Sequence, residues 1–271
     1  MDLLRAVIIG AEGTPYHDGL FFFNVCFPNN YPHAPPIKAL ISCKWLFKED
    51  VVIQPNSAHK ISSEITSVQK HDISASQEKV HYHSGGLRIN PNLYNSGKFC
   101  LSLLNTWSGA KNEQWVPGSS TMLQVLVSIQ GMILNEKPYF NEPGYADSSG
   151  SNHGEKKSLQ YSEQTLVYSL KTMVYTMRKP PKHFEDLVIG YFRDHARAIL
   201  TTCKAYTKGV KVGCAIDSGE EAGSWWFKSN VEGYMKTLIG AFKEIGAENV
   251  DEFMPPTPKS LAQKIWGFFR S

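Results

Sequence analysis

The sequence has no long apolar run, no paired-cysteine pattern and almost no excess of either charge, and each absence removes a class of protein. Its longest apolar stretches, such as residues 20–27, fall far short of the roughly 20 residues a membrane-spanning helix needs, and Asp2 and Arg5 interrupt any secretory leader. The five cysteines (Cys26, Cys43, Cys100, Cys203 and Cys214) are odd in number and irregular in spacing, with no CxxC pair, so neither a disulfide framework nor a metal knuckle is indicated. A net charge of +3 is too small to argue for a nucleic-acid partner. These absences predict a soluble cytoplasmic chain, with nuclear or endomembrane-peripheral placement left open. What is present is enough for a core: 271 residues, 42% hydrophobic and 12% aromatic, which predict one domain plus an extension and exclude disordered and collagen-like classes.

The charge is unevenly spread. Residues 155–211 carry 11 basic and 5 acidic side chains and residues 217–256 carry 3 and 8, the pattern of a basic helical surface followed by an acidic tail. Residues 1–41 read as β structure, with strands at 6–9 and 20–27 joined by a Gly- and Pro-containing turn, and a third at 37–41 after the proline-rich stretch 28–36. Phe21, Phe23, Val25 and Phe27 share one face of the second strand. Residues 42–80 show no lasting periodicity and read as a long insertion loop.

Helical periodicity begins late. Thr121 and Gln124 match a capping box ahead of Met122, Val125, Leu126, Ile129, Met132 and Ile133, which predicts a buried helix over 121–135. Further helices are predicted at 162–177 and 183–204, separated by Pro180 and Pro181. After a Gly/Ser-rich acidic linker at 217–224, Ser229 and Glu232 form another capping-box pattern and predict a helix over 229–245. Prolines at 255–258 precede a short aromatic end. The predicted domains are a core over 1–211 interrupted by the insertion 42–80, and a helical extension over 212–271.

The densest chemical constellation lies between Leu87 and Trp107. A tight polar loop containing Gly97 delivers Cys100, and Asn92 sits eight positions before it. That pairs a nucleophilic thiol with a neutral amide donor suited to an oxyanion. Between them no His, Asp or Lys occurs except Lys98, so no local general base is visible, which suits a thiol that exchanges acyl groups better than one that activates water. Two other readings stay open: His81 and His83 as half a metal site with Cys43, and either histidine as a hydrolytic partner of Cys100. Cys26 and Cys203 read as small core residues.

These residues resemble the catalytic domain of ubiquitin-conjugating enzymes. The family's His-Pro-Asn signature, followed eight residues after its Asn by Cys-Leu, is matched by Asn90-Pro91-Asn92 and Cys100-Leu101. Tyr31-Pro-x-x-Pro-Pro36, Thr14-Pro-Tyr16, Gly19-x-Phe-Phe and Trp115-x-Pro117 extend the likeness over about 1–41 and 81–205. Ser102-Leu-Leu-Asn-Thr-Trp107 and Lys137-Pro-Tyr-Phe-Asn-Glu142 are most similar to the large conjugating-and-ligating hybrid subgroup, in particular its plant phosphate-homeostasis type.

The resemblance implies an α+β fold, an antiparallel meander packed against helices, with the family's first helix and strand missing and one sheet edge left open. It implies that Cys100 accepts ubiquitin as a thioester, that Asn92 donates to the oxyanion or holds the loop in shape, and that Glu142 orients the incoming amine, with a solvated loop carboxylate as the plain alternative. The implied partners are ubiquitin, its activating enzyme (which consumes the ATP), a protein substrate, and a ligase docking on the His33 and Trp115–Pro117 loops. Nucleic acid, metal and organic cofactors are not implied. Three departures matter: Asn90 stands for the signature His, Ser102 for a common acidic residue, and His33 for an apolar docking residue. The missing first helix and the 39-residue insertion predict an N-terminally truncated product, with Met1 an internal start and 42–80 a retained intron or lineage-specific loop. An inactive ubiquitin-binding scaffold, or conjugation of another ubiquitin-like modifier, are the alternative functions.

Overall fold

A computed structural model of the chain describes residues 2–28, 30–35, 49–53, 81–107, 113–213 and 223–255. The strand predicted at 37–41, Cys43, Cys214, most of the linker at 217–224 and the aromatic end beyond 255 lie outside the described residues. Among those described, no helix is long and apolar enough to cross a membrane.

Four strands form one sheet in the order β3-β1-β2-β4: β1 (Asp2–Ile9), β2 (Leu20–Phe27), β3 (Glu49–Ile53) and β4 (His81–Tyr82). β1 and β2 are an antiparallel hairpin in the register Leu4↔Val25 and Ile8↔Phe21. Its turn closes through Gly10 N donating to Gly19 O at 2.9 Å. Gly10 is required there, because a Cβ would stand 1.8 Å from the Tyr16 carbonyl oxygen.

β3 corrects two expectations. It lies within the stretch read as an insertion loop, and it pairs in parallel with β1, from Leu4↔Glu49 to Ile8↔Ile53. The β1 edge expected to be open is therefore covered. A five-residue strand is too short to establish a period in sequence, which is why it reads as loop.

β2 also differs from a one-faced strand. Phe21, Phe23, Val25 and Phe27 face one buried cluster, while Leu20 and Phe22 face another, so the strand is covered on both sides. On the first side lies α1 (Met122–Ser128). It opens with the predicted capping box, Gln124 N donating to Thr121 Oγ1 and Thr121 N to Gln124 Oε1 at 2.8 Å. It continues as a π turn over Ile129–Ile133, closed by Leu134 N donating to Ile129 O at 2.9 Å.

After the short α2 (Pro143–Ala146), the other side is built from α3 (Asn152–Arg178), α4 (Glu185–Lys208) and α5 (Trp225–Glu244). α3 begins ten residues before its predicted start, since its first turns are polar and show no apolar stripe. Ser151 caps it, accepting from Gly154 N at 3.0 Å. α5 begins at Trp225 rather than at 229, and Ser229 lies inside the helix. Ser224 is the true cap. Its Oγ accepts from Phe227 N at 3.2 Å and donates to Glu163 Oε2 at 2.6 Å, and its N–H donates to Glu163 Oε1 at 2.7 Å.

The α5 stripe of Phe227, Val231, Met235, Leu238, Ile239 and Phe242 packs into the cluster formed by α3 and α4, so this helix covers its own chain. The basic and acidic segments meet there as well. Arg178 pairs with Glu244 through two bonds at 2.8 and 2.9 Å, and Arg197 pairs with Glu252.

Candidate active site

The loop carrying the site hangs from β4. Tyr82 N donates to Gly97 O at 3.0 Å, Ser84 Oγ to Asn95 O at 2.6 Å, and isolated bridges join Leu93 to both Asn90 and Phe99. Ile89, Leu93, Phe99, Leu101 and Leu104 anchor the loop in the cluster beneath α1. Around this frame the polar residues are displayed. The Arg88 guanidinium and the Lys98 ammonium both lie over the Tyr94 ring, 4.5 and 5.3 Å from its centroid.

Asn92 and Cys100 are brought together by two bonds. Cys100 N donates to Asn92 O at 3.0 Å, and Asn92 Nδ2 donates to Cys100 O at 3.1 Å. The Asn92 side chain thus braces the cysteine's own peptide, and its Oδ1 is buried without a hydrogen-bond partner among the described residues. Cys100 itself is 1% exposed, more enclosed than its position in a polar loop predicts. Leu101 N and O both bond to Thr106 Oγ1, at 2.9 and 3.1 Å, which folds the following turn, Ser102–Leu104, back toward the cysteine.

Asn90 is the residue whose importance the sequence reading missed. It is fully buried, and its amide donates to Tyr16 Oη at 2.8 Å and to Ile133 O at 2.7 Å, while Oδ1 accepts from Asn92 N at 2.9 Å. Tyr16 Oη in turn donates to Ile89 O at 2.9 Å, and burial pushes that phenol well above its usual range. Asn141, quoted in sequence only as part of a family-like segment, joins this network by donating to Ile133 O at 3.0 Å.

Glu142 does not join it. Its side chain lines a cleft of about 370 Å³ with Arg88, Pro91, Tyr139, Tyr145 and Tyr161, and Cys100 is not among the lining residues. The Tyr139 and Tyr145 rings stack at 4.5 Å, and burial pushes the Tyr161 hydroxyl up to about 12. The cleft thus sets tyrosine rings and hydroxyls beside the Glu142 and Arg88 side chains.

The two loops expected to form a docking surface lie against each other. Trp115 is buried and its Nε1 donates to Pro32 O at 2.8 Å, while His33 and Val116 are exposed. Among the described residues no cluster of three or more His, Cys, Asp and Glu comes together, and the Cys43 half of the metal alternative lies outside them. Cys26 and Cys203 are both buried, and burial pushes the Cys203 thiol up to about 12.

Comparison with known proteins supplies the remaining observation. A family model described as "Ubiquitin-conjugating enzyme" matches residues 1–48. The Arabidopsis thaliana protein named probable ubiquitin-conjugating enzyme E2 26 is 48% identical over 269 residues, covering 97% of this chain and 42% of its own length. Another from that plant, named as ubiquitin-conjugating enzyme E2 38, is 46% identical over 263 residues, covering 94% of this chain and 68% of its own. The human dual E2 ubiquitin-conjugating enzyme/E3 ubiquitin-protein ligase BIRC6 is 32% identical over 212 residues, 78% of this chain and 4% of that protein. The chain thus spans less than half the length of some relatives and about two thirds of another.

Proposed function

The chain belongs to the ubiquitin-conjugating enzyme family, and on that premise we propose that Cys100 carries ubiquitin between its activating enzyme and a lysine. The observation that carries the reading is the reciprocal bonding of Asn92 and Cys100, which holds an amide donor beside the thiol's own peptide.

In the first step the Cys100 thiolate attacks the carbonyl of ubiquitin's C-terminus, held as a thioester on the activating enzyme, and the activating enzyme's thiol leaves. In the second, the acceptor amine attacks the new thioester. The tetrahedral oxyanion collapses to an amide, the Cys100 thiolate leaves, and the amine's surplus proton passes to solvent. Asn92 has one side-chain bond to exchange and an unsatisfied oxygen, so turning its amide from Cys100 O to the oxyanion loses little. Glu142, on the neighbouring loop, attracts and orients the amine.

The likeness to the human dual enzyme supports transfer without a separate ligase, and the His33 and Trp115–Pro117 loops are the surface on which a ligase would dock. The 1% exposure of Cys100 favours a second reading, an inactive ubiquitin-binding module. One assay separates them. Incubating the purified chain with activating enzyme, ubiquitin and ATP gives a reductant-sensitive adduct under the first reading, and Cys100→Ser replaces it with a reductant-stable ester. Absence of an adduct with ubiquitin or any other modifier overturns the first, and retention of ubiquitin on the unloaded chain then supports the second. Running the assay with other ubiquitin-like modifiers fixes which one is carried.

A further inference from the structure

One carbonyl joins three segments of the site. The Ile133 carbonyl, at the end of the π turn, accepts Asn90 Nδ2 from the signature loop at 2.7 Å and Asn141 Nδ2 from the following loop at 3.0 Å. Two donors use both lone pairs of that oxygen. Asn90 also uses its whole capacity. Its two N–H groups go to Ile133 O and Tyr16 Oη, and its Oδ1 accepts from Asn92 N at 2.9 Å and, more weakly, from Asn141 Nδ2 at 3.4 Å. Asn141 Oδ1 accepts from Asn135 Nδ2 at 2.8 Å, which is itself bonded to Met132 O.

An imidazole could not replace this amide. A neutral histidine offers one donor and one acceptor, and a protonated one offers two donors and no acceptor. The asparagine at 90 is matched to the asparagine at 141, so the departure from the family signature is half of a pair.

Each member of the pair neighbours, in sequence, one of the two groups proposed to serve the acceptor. Asn92 follows Asn90 by two residues and receives its N–H bond, and Glu142 directly follows Asn141. The backbone holds Glu142 from the α2 side, where its carbonyl accepts from Tyr145 N at 2.9 Å and Ala146 N at 3.2 Å, whereas toward Asn141 its own N–H reaches Tyr139 O only at 3.5 Å. The side-chain amide of Asn141 adds a polar tie from the Glu142 loop, through Ile133 O, to Asn90 of the signature loop.

We infer that Asn141 is a positioning residue for the second step: through Ile133 O and Asn90 it sets where Glu142 meets a lysine amine attacking the Cys100 thioester. This rests on the thioester reading above, and it separates the two half-reactions. Loading of Cys100 needs the Asn92 loop but no acceptor, whereas discharge to lysine needs Glu142 in place.

The test uses the full chain with loading and discharge measured apart, the second as single-turnover transfer from preformed thioester to free lysine. Asn141→Ala is expected to load within two-fold of wild type and to discharge about ten-fold more slowly. Asn141→Asp, which keeps the acceptor for Asn135 but cannot donate to Ile133 O, is expected to behave the same. Glu142→Ala is slow by a similar factor, and the Asn141→Ala/Glu142→Ala double variant is no slower than Glu142→Ala alone, because both remove one function. Several results overturn the proposal: discharge at the wild-type rate in either Asn141 variant, multiplicative loss in the double variant, or an inert Glu142→Ala. So does a failure of both Asn141 variants to fold, which makes the residue structural. If wild type itself does not load, the thioester reading falls, and this inference with it.

Discussion

On one side of the sheet, Val7 and Phe22 meet α3, α4 and α5 through apolar stripes; on the other, Phe21 and Phe23 meet α1 and a run of turns ordered largely by amide groups. The helical side has a buried ionisable anchor in Glu163, and each of its carboxyl oxygens accepts a hydrogen bond from Ser224. The loop side carries a connected polar network through Tyr16, Asn90, Asn135 and Asn141. Apolar packing tolerates approximation, whereas a buried amide network stabilises only when each member finds its partner. The helical side supplies stability and the loop side supplies placement, so perturbing each should move different observables.

The largest effect on folding is expected on the helical side. Phe242 is fully buried among α3, α4 and α5. Phe242→Ala removes a ring from a packed core and is expected to cost about 3–5 kcal/mol, read as a lowered urea midpoint. In the protein that remains folded, the ratio of loading to discharge stays as in wild type. A changed ratio would erase the division between the two sides.

Asn90→His perturbs the loop side and should cost less. It leaves at least one of Tyr16 Oη, Ile133 O, Asn92 N and Asn141 Nδ2 without its bond, worth about 1–3 kcal/mol. Restoring the family's own residue is therefore expected to weaken this member, with discharge reduced beyond what the shift in midpoint explains. Equal or improved discharge would show that the network is incidental to placement.

The same contrast governs what the sequence discloses. α1 is legible because its capping box and its stripe are both local, at spacings of three and four residues. The stripe of α5 is legible too, but its start is not: Ser229 and Glu232 form a better local pattern than Ser224, whose partner Glu163 lies 61 residues away. β3 is hidden for a related reason, since only its pairing with β1 makes it a strand. In the candidate site, motif spacing singles out Cys100 and Asn92, which the structure joins by two hydrogen bonds. Asn90 is not, because a substitution at a signature position reads as a loss until its four bonds are seen, and Asn141 is passed over for the charged residue beside it.

The smallest effect tests whether charge adds to the helical side. Arg178 and Glu244 form a two-pronged pair between α3 and α5, joining the basic surface to the acidic tail, and both side chains are about half exposed. The hydrogen bond from Arg178 lowers the Glu244 carboxyl below its ordinary value. A carboxylate with a depressed folded-state pKa contributes stability that is present above its unfolded pKa and is lost as pH falls through the folded one. Arg178→Met is therefore expected to leave the melting temperature near neutral pH almost unchanged and to flatten the acid limb of the stability profile, with the difference vanishing at high salt. A large loss at neutral pH that persists in salt would mean that α5 is held on α3 by its ion pair as much as by Phe227, Val231, Leu238 and Phe242, and the helical side would then depend on polar placement as the loop side does.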